Sequence, residues 1–140
     1  MNGFPAPGAK RPMRIFVVEN HEDTRFLLCL LLEQLGHTVL SAPSLAAALE
    51  TIPAAHCDVL ISDIGLPDGN GWDLMTRLGD DRPPYAIAMS GFGMSSDHQR
   101  SLNAGYRHHL LKPVEPDQLE RLLDEAADET RESQRRRGVT

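Results

Sequence analysis

A continuous apolar run stands at residues 58–63 of the chain, Asp58-Val59-Leu60-Ile61-Ser62-Asp63, and a carboxylate ends it. Short runs of aliphatic and β-branched residues are typical of strands that are buried on both faces of a parallel sheet. Four further runs of this kind flank it along the chain. We therefore predict five strands, at residues 13–18, 37–42, 58–63, 85–90 and 107–111.

Segments of helical length separate these runs, and several carry residues that begin or end helices. Ser44 and Asn70 can each accept a hydrogen bond at a helix N-terminus, and Ser96 with Gln99 has the spacing of a capping box. Pro53 is expected to end the helix that follows Ser44. Strands that alternate with helices form a parallel sheet covered on both faces, so we predict a doubly wound α/β domain with five helices.

The composition of the 140-residue chain, with 41% hydrophobic and 24% charged residues, fits one domain that folds unaided. The longest apolar run, at residues 26–32, is far shorter than the ~18 residues that span a bilayer. Residues 1–12 lack the apolar stretch of a secretory signal. We expect a disordered lead-in at residues 1–12, a folded domain at 13–130 and a flexible arginine-rich tail at 131–140.

Charge and cysteine content narrow the expected partners and compartment. The net charge is −6, and four arginines lie in residues 131–140, so the preceding domain is strongly acidic. An acidic domain repels nucleic acid, and we expect neither a nucleic acid nor a membrane partner. Cys29 and Cys57 each lie in an apolar segment, which favours free thiols in the reducing cytoplasm.

Polar residues end or directly follow four of the five predicted strands. In an open parallel sheet the carboxyl ends of the strands meet at one edge, where ligands bind. The side chains expected there are two acids, an amide, a hydroxyl and an ammonium: Glu19, Asn20, Asp63, Ser90 and Lys112. We take these residues as the candidate functional set.

Four segments of the sequence resemble the receiver domain of two-component response regulators. They are residues 17–20, 60–71, 89–91 and 111–113, and the likeness covers about residues 13–127. Residues 63–71 followed by Lys112-Pro113 are specific in combination. The resemblance implies a single-domain receiver with a flavodoxin-like, five-stranded parallel sheet in the order 2-1-3-4-5.

The resemblance also implies a chemistry. A histidine kinase or a histidine phosphotransfer protein would transfer a phosphoryl group to Asp63, and Ser90 and Lys112 would contact the phosphoryl oxygens. Mg²⁺ would be the cofactor, and its implied ligands are the side chains of Glu19, Asn20 and Asp63 and the backbone carbonyl of Gly65. The phosphorylated domain would signal by changing its affinity for a downstream protein, and it would catalyse only its own phosphorylation and slow dephosphorylation.

Further roles follow from the family pattern. The bond between Lys112 and Pro113 would be cis. Ser90 would form a switch pair with a residue of the last strand, which is His109 here rather than the usual Tyr or Phe. The side chains that help admit water to the aspartyl phosphate in the family correspond to Gly65 and Phe92, which predicts a long-lived phosphate.

Two alternatives to this interpretation stay open. The family usually has two aspartates where this chain has Glu19 and Asn20, so one alternative is a pseudo-receiver that binds partners without phosphorylation. The other is a phosphatase of the haloacid-dehalogenase type, in which a strand-end aspartate is also phosphorylated. Such enzymes usually have a second acid two residues after the nucleophile, and Gly65 at that position disfavours this alternative.

The first predicted helix has more apolar residues than it needs to cover the sheet. A stripe of about 100° holds four leucines that suffice for this purpose, at positions 28, 31, 32 and 35. The remaining large apolar side chains are Phe26, Leu27 and Leu30. We expect them to form a partly exposed patch on which the kinase or phosphotransfer partner docks.

Overall fold

The computed structural model describes residues 12–91 and 95–138, with the side chains of 95–97 and 132–138 left aside. The five strands of the main sheet are β1 (Arg14–Val18), β2 (Thr38–Ala42), β3 (Val59–Asp63), β4 (Tyr85–Ser90) and β5 (His108–Leu111). The helices are α1 (Glu22–Gln34), α2 (Leu45–Ala55), α3 (Gly71–Leu78), α4 (Ser95–Ala104) and α5 (Pro116–Gly138). Each strand ends at its predicted residue and begins within one residue of its predicted start.

The sheet has the order β2-β1-β3-β4-β5, and all four pairings are parallel. This order confirms the predicted doubly wound, flavodoxin-like fold. Strand β3 lies in the centre, and all five of its residues are buried. Because Asp63 pairs with Met89 at the end of this register, the last residues of β3 and β4 lie side by side at one edge.

Two apolar layers cover the sheet. Alternate residues of each strand point to opposite faces, so Phe16 packs with the layer that α2 and α3 cover, and Ile15 packs with the layer that α1 and α5 cover. Leu32 of α1 and Leu119 of α5 are fully buried in the second layer. The functional edge therefore rests on a packed core, since the two central strands that end there, β3 and β4, are buried along their whole length.

Helix starts follow the sequence closely at two places. The Ser44 hydroxyl accepts a hydrogen bond from the Ala47 amide at 3.2 Å, and the Asn70 side chain accepts one from the Asp73 amide at 2.8 Å. Both residues cap their helices as predicted. Gly105 follows the last residue of α4 with a φ of 113°, a conformation that glycine adopts readily, and this ends the helix where predicted.

Other helix boundaries differ from the predictions. Pro53 lies inside α2, which continues for two residues to Ala55. The φ of proline fits a helix, so the chain stays helical here although Pro53 removes one hydrogen bond of the last turns. Helix α4 begins at Ser95, one residue before the predicted cap, and the capping box stays a prediction because the Ser96 side chain lies outside the described residues.

A short antiparallel hairpin, which the sequence patterns did not predict, joins β3 to α3. Its two strands are Gly65–Leu66 and Gly69–Asn70. The Asp68 carboxylate at its turn accepts hydrogen bonds from the Leu45 and Ala46 amides at 2.8 and 2.9 Å. The hairpin is thereby tied to the start of α2 and holds the backbone that follows Asp63 in place.

The ends of the chain bear on the predicted domain boundaries. Helix α5 extends to Gly138 and so continues past residue 130, the predicted end of the folded domain. Flexibility of residues 131–140 stays a prediction, and the predicted lead-in lies outside the described residues except for Pro12. No helix within the described ranges combines the length and the apolar character needed to cross a bilayer.

Candidate functional site

Two carboxylates meet one ammonium at the carboxyl edge of the sheet. Glu19 directly follows β1 and is fully buried, and Asp63 ends β3 with 7% of its surface exposed. Lys112, which directly follows β5, donates hydrogen bonds to Glu19 Oε1 and Asp63 Oδ2, each at 2.7 Å. These three residues, which we call the charged trio, hold two buried anions and one cation in direct contact.

The surroundings of the charged trio set the charge of its members. Burial raises the pKa of the Asp63 carboxyl and the nearby Glu19 charge acts in the same direction, while the hydrogen bond from Lys112 opposes both. Burial alone lowers the pKa of the Lys112 ammonium, but the hydrogen bonds and charges of Asp63 and Glu19 outweigh burial and raise it. The ammonium is therefore a firmly charged group beside a carboxylate that is more basic than an ordinary aspartate.

The remaining oxygens of the two acids differ in their partners. Glu19 Oε2 accepts a hydrogen bond from the His21 amide at 2.9 Å, so each of its carboxylate oxygens has a protein partner. Asp63 Oδ1 accepts a long hydrogen bond of 3.3 Å from the Gly65 amide. Asn20 lies exposed next to Glu19. The Asp63 oxygen is thus the less tightly held of the acidic oxygens at the edge.

A hydroxyl lies at the neighbouring strand end. Ser90 ends β4 with 4% of its surface exposed, and its carbonyl accepts a hydrogen bond from the Lys112 amide at 2.8 Å. Its Oγ lies 2.6 Å from His109 Nε2. The sheet thereby places a hydroxyl at the end of the strand beside β3 and an ammonium directly after the next strand.

His109 continues this contact away from the edge. Its Nδ1 lies 2.7 Å from Ser101 Oγ on α4, and the Trp72 indole of α3 donates to the same oxygen at 3.0 Å. We call Ser90, His109, Ser101 and Trp72 the polar relay. It connects the functional edge with two helices on one side of the sheet.

Comparison with known proteins assigns the family. The family model of the response regulator receiver domain matches residues 15–124. The chain belongs to the receiver domain family. It is a signalling domain rather than a catalytic enzyme, and its fold is that of CheY-like receivers.

The relatives found by sequence differ in how much of their own length this chain spans. The chain is 35% identical over 118 residues to an uncharacterized 14.6 kDa protein of Leptolyngbya boryana, covering 81% of this chain and 88% of that protein. It is 32% identical to the sensor histidine kinase RcsC of Escherichia coli over 86% of this chain, but it spans only 13% of that kinase. It is 30% identical to the two-component response regulator PhoP of Pseudomonas aeruginosa over 80% of this chain, and it spans half of PhoP.

Solved structures agree with this assignment. A CheY-like receiver from Methanospirillum hungatei is 27% identical and superposes with a TM-score of 0.78, covering 87% of this chain and 99% of that chain. The receiver of the sensor histidine kinase PA1611 of Pseudomonas aeruginosa, which has a magnesium ion in its active-site cleft, is 22% identical and superposes with a TM-score of 0.73, covering 82% of this chain and 97% of that chain.

The structure brings five of the predicted residues into two groups, and no hydrogen bond from the Asn20 side chain to either group is found among the described residues. Asp63, Glu19 and Lys112 are in contact, and Ser90 contacts His109. The peptide bond between Lys112 and Pro113 is cis.

Sequence reasoning missed the hydrogen bonds of Ser101 and Trp72. The signal that could have found them is the histidine at position 109, because an imidazole buried in a sheet needs a hydrogen-bond partner at each nitrogen.

The donor atoms at the edge fit a magnesium ion. Asp63 offers a carboxylate oxygen, Asn20 an amide oxygen and Gly65 a main-chain carbonyl, and oxygen ligands of this kind are those that Mg²⁺ prefers. The bridging ammonium of Lys112 already shows that the edge stabilises positive charge. No cluster of three or more His, Cys, Asp or Glu side chains is found among the described residues, so a metal here would rely on amide and carbonyl oxygens as well as on acids.

The apolar patch on α1 is present at the surface. Phe26 is 65% exposed, Leu27 62% and Leu30 39%. Beside it runs an apolar groove of about 490 Å³ between α1 and the segment that follows β5. The groove is lined by Thr24, Leu27, Leu28, Leu31, Met89, Lys112, Pro113 and Val114. Exposed apolar surface thus leads directly to Lys112.

Proposed function

We propose that this receiver is phosphorylated on Asp63 by a histidine kinase or a histidine phosphotransfer protein and that it signals through altered binding to a downstream protein. The observation that carries the proposal is the Lys112 ammonium, which lies 2.7 Å from both Asp63 and Glu19 at the edge of a receiver sheet. A buried aspartate with a raised pKa and an adjacent fixed cation is equipped to attack a phosphoryl group and then to hold it.

The proposed transfer needs little covalent help from the protein. An Asp63 oxygen attacks the phosphorus of a phosphohistidine, the P–N bond breaks, and the imidazole nitrogen leaves with the electron pair of that bond. Lys112 balances the negative charge that the phosphoryl oxygens bring, and the Ser90 hydroxyl donates to one of them. Positioning and charge neutralisation therefore account for the reaction.

Mg²⁺ is the proposed cofactor, and when bound it would neutralise phosphoryl oxygens and orient them for in-line attack. Asn20, Asp63 and the Gly65 carbonyl would hold it. Glu19 would join this set through Oε1 by giving up its hydrogen bond to Lys112. The magnesium ion in the cleft of the similar PA1611 receiver supports this assignment.

The phosphoryl donor is proposed to dock on α1. The exposed patch of Phe26, Leu27 and Leu30 borders the groove that leads to Lys112. A helical partner seated there would bring a phosphohistidine to the edge that holds Asp63, and burial of the patch would contribute to affinity. Cys29 and Cys57 are free thiols, which supports a cytoplasmic location, where such kinases present their phosphohistidine.

Intact-mass measurement after incubation with acetyl phosphate and Mg²⁺ tests the proposal. The native chain should gain the mass of one phosphoryl group, and Asp63→Asn should gain none. Asp80→Asn is the matched control, since Asp80 is an exposed acid away from the edge, and it should behave as the native chain does.

Phosphate on Asp63→Asn would overturn the assignment of the acceptor. A native chain that neither gains phosphate nor binds Mg²⁺ would instead support the alternative, an interaction module that works without phosphorylation.

A further inference from the structure

We propose that Trp72 and Ser101 are positioning residues that set the direction of the hydrogen bonds through His109, so that Ser90 keeps its own proton for the phosphoryl group. The proposal rests on the proposed phosphorylation of Asp63. It concerns the polar relay, whose four side chains come from α3, α4, β5 and β4 and are linked by contacts of 3.0, 2.7 and 2.6 Å.

The direction is set at the far end of the relay. An indole nitrogen carries a hydrogen and has no acceptor lone pair, so Trp72 can only donate. Its Nε1 lies 3.0 Å from Ser101 Oγ, which therefore accepts. This bond uses a lone pair of the Ser101 oxygen. The hydroxyl proton of Ser101 still needs an acceptor.

Ser101 then passes the direction on. Its side chain is fully buried, and a buried hydroxyl proton without an acceptor is costly. In the described part of the chain, the other group within hydrogen-bond distance of Ser101 Oγ is His109 Nδ1, at 2.7 Å. The Ser101 proton is therefore donated to Nδ1.

The tautomer of His109 follows. A neutral imidazole carries one N–H, so an Nδ1 that accepts leaves the proton on Nε2. His109 Nε2 then donates to Ser90 Oγ at 2.6 Å, and the Ser90 proton is free for an acceptor at the edge. In the opposite tautomer Ser90 would donate to His109, and its hydroxyl would have no proton for a phosphoryl oxygen.

Neighbouring side chains of α4 hold the relay in place. The Arg100 guanidinium lies 3.9 Å from the centre of the Trp72 ring, a cation–π contact. The His98 ring stacks on His109 with the two ring centres 5.6 Å apart. The relay depends on an imidazole at position 109, because phenylalanine has no nitrogen and tyrosine cannot bond at two opposite ring positions.

The tautomer can be read without any phosphorylation. Long-range ¹H–¹⁵N spectra of histidine-labelled protein at about pH 8, where an ordinary histidine is neutral, distinguish a protonated Nε2 from a protonated Nδ1. His109→Phe, which places a common family residue at this position, assigns the signal. We expect protonated Nε2 in the native chain and a loss of this preference in Ser101→Ala, with Ser101→Thr restoring it. A protonated Nδ1 in the native chain would overturn the proposal.

The effect on the reaction is measured as the initial rate of phosphorylation by acetyl phosphate with Mg²⁺. Ser101→Ala and Trp72→Phe should each lower this rate about fivefold, the size expected for one lost hydrogen bond, and Ser101→Thr should restore it. In a His109→Phe background, Ser101→Ala should have no further effect. Unchanged rates, or an equal loss in the His109→Phe background, would contradict the positioning role.

The two measurements separate this proposal from the one on which it rests. A native chain that gains no phosphate would overturn the function proposed for Asp63. The spectra would then decide the direction of the relay alone, because they are recorded on the unphosphorylated protein.

Discussion

The two halves of the functional edge are built in different ways. On one half, the partly exposed Lys112 ammonium contacts the buried carboxylates of Glu19 and Asp63. On the other half, Ser90 and His109 are held by hydrogen bonds that continue to α4 and α3. Under the proposed function the charged half would hold the phosphoryl group, whereas the hydrogen-bonded half connects Ser90 with α4 and α3.

Each half contains one residue that departs from the family pattern. Glu19 replaces an aspartate, but its longer side chain still reaches Lys112 at 2.7 Å. His109 replaces an aromatic ring and brings two nitrogens into the sheet, and both have found hydroxyl partners. Substitutions on the charged half should therefore have large effects on stability and capture, and those on the hydrogen-bonded half smaller and more specific ones.

Lys112→Ala is expected to have the largest effect. It leaves two buried carboxylates without their cation and should lower the free energy of unfolding by about 3 kcal/mol, as measured by urea titration. Mg²⁺ should bind at least as tightly as to the native chain, because a competing cation is gone, and it should restore part of the stability.

Arg107→Ala is the control for this comparison. Arg107 is an exposed cation that pairs with Glu125 and Glu129 on the surface, so its loss should cost less than about 1 kcal/mol. Equal losses in the two variants would show that the charged trio has no special weight.

Leu30→Asp tests whether the phosphoryl donor docks on the exposed patch of α1. The rate of phosphotransfer from the cognate partner should fall about tenfold, while phosphorylation by acetyl phosphate stays unchanged. Leu102→Asp on α4 is matched in exposure, 38% against 39% for Leu30, and should leave both rates unaltered. If both reactions slow together in Leu30→Asp, the residue supports the fold and not docking.

Gly65→Asn tests how the charged half excludes water. Nothing lies within 4 Å of the position that a Cβ would take, so a side chain is accommodated there. An amide beside Asp63 can orient water, and the lifetime of the aspartyl phosphate should shorten several-fold. The decay of the phosphorylated mass after removal of acetyl phosphate gives this lifetime. A native lifetime of only seconds would contradict the protective role of a bare glycine.

His37 offers a smaller test, on a buried histidine away from the edge. Burial lowers its pKa, and its Nδ1 accepts a hydrogen bond from the Met13 amide at 3.1 Å. As pH falls, the unfolded chain therefore takes up a proton on His37 before the folded chain does. The contribution of the neutral His37 to stability is complete above about pH 6.5 and is lost as the pH falls below that value. His37→Asn should flatten the fall in unfolding free energy between about pH 7 and pH 5. An unchanged slope would exclude His37 as its source.

The sequence was sufficient for the sheet because its strands are continuous apolar runs, and strand ends such as Asp63 and Ser90 fall where apolar residues stop. It was insufficient where a contact depends on tertiary placement. Ser101 looks like an ordinary helix residue until α4 packs beside His109. The hairpin after Asp63 lacks the alternation of apolar and polar residues that indicates a strand. Its pairing depends instead on glycines and on the hydrogen bonds of Asp68 to the start of α2. Pro53 predicts a helix end from the residue type alone, and the residue type does not show how near the helix already is to its end.

The position of the phosphoryl group itself is the most direct test of these assignments. Borohydride converts an acyl phosphate of aspartate to homoserine, and peptide mass mapping locates the converted residue. After incubation with acetyl phosphate and Mg²⁺, we expect conversion at Asp63 and at no other acid of the chain. Conversion at a different acid, or at none while the protein binds Mg²⁺ and is folded, would contradict the assignment of Asp63 as the phosphoacceptor.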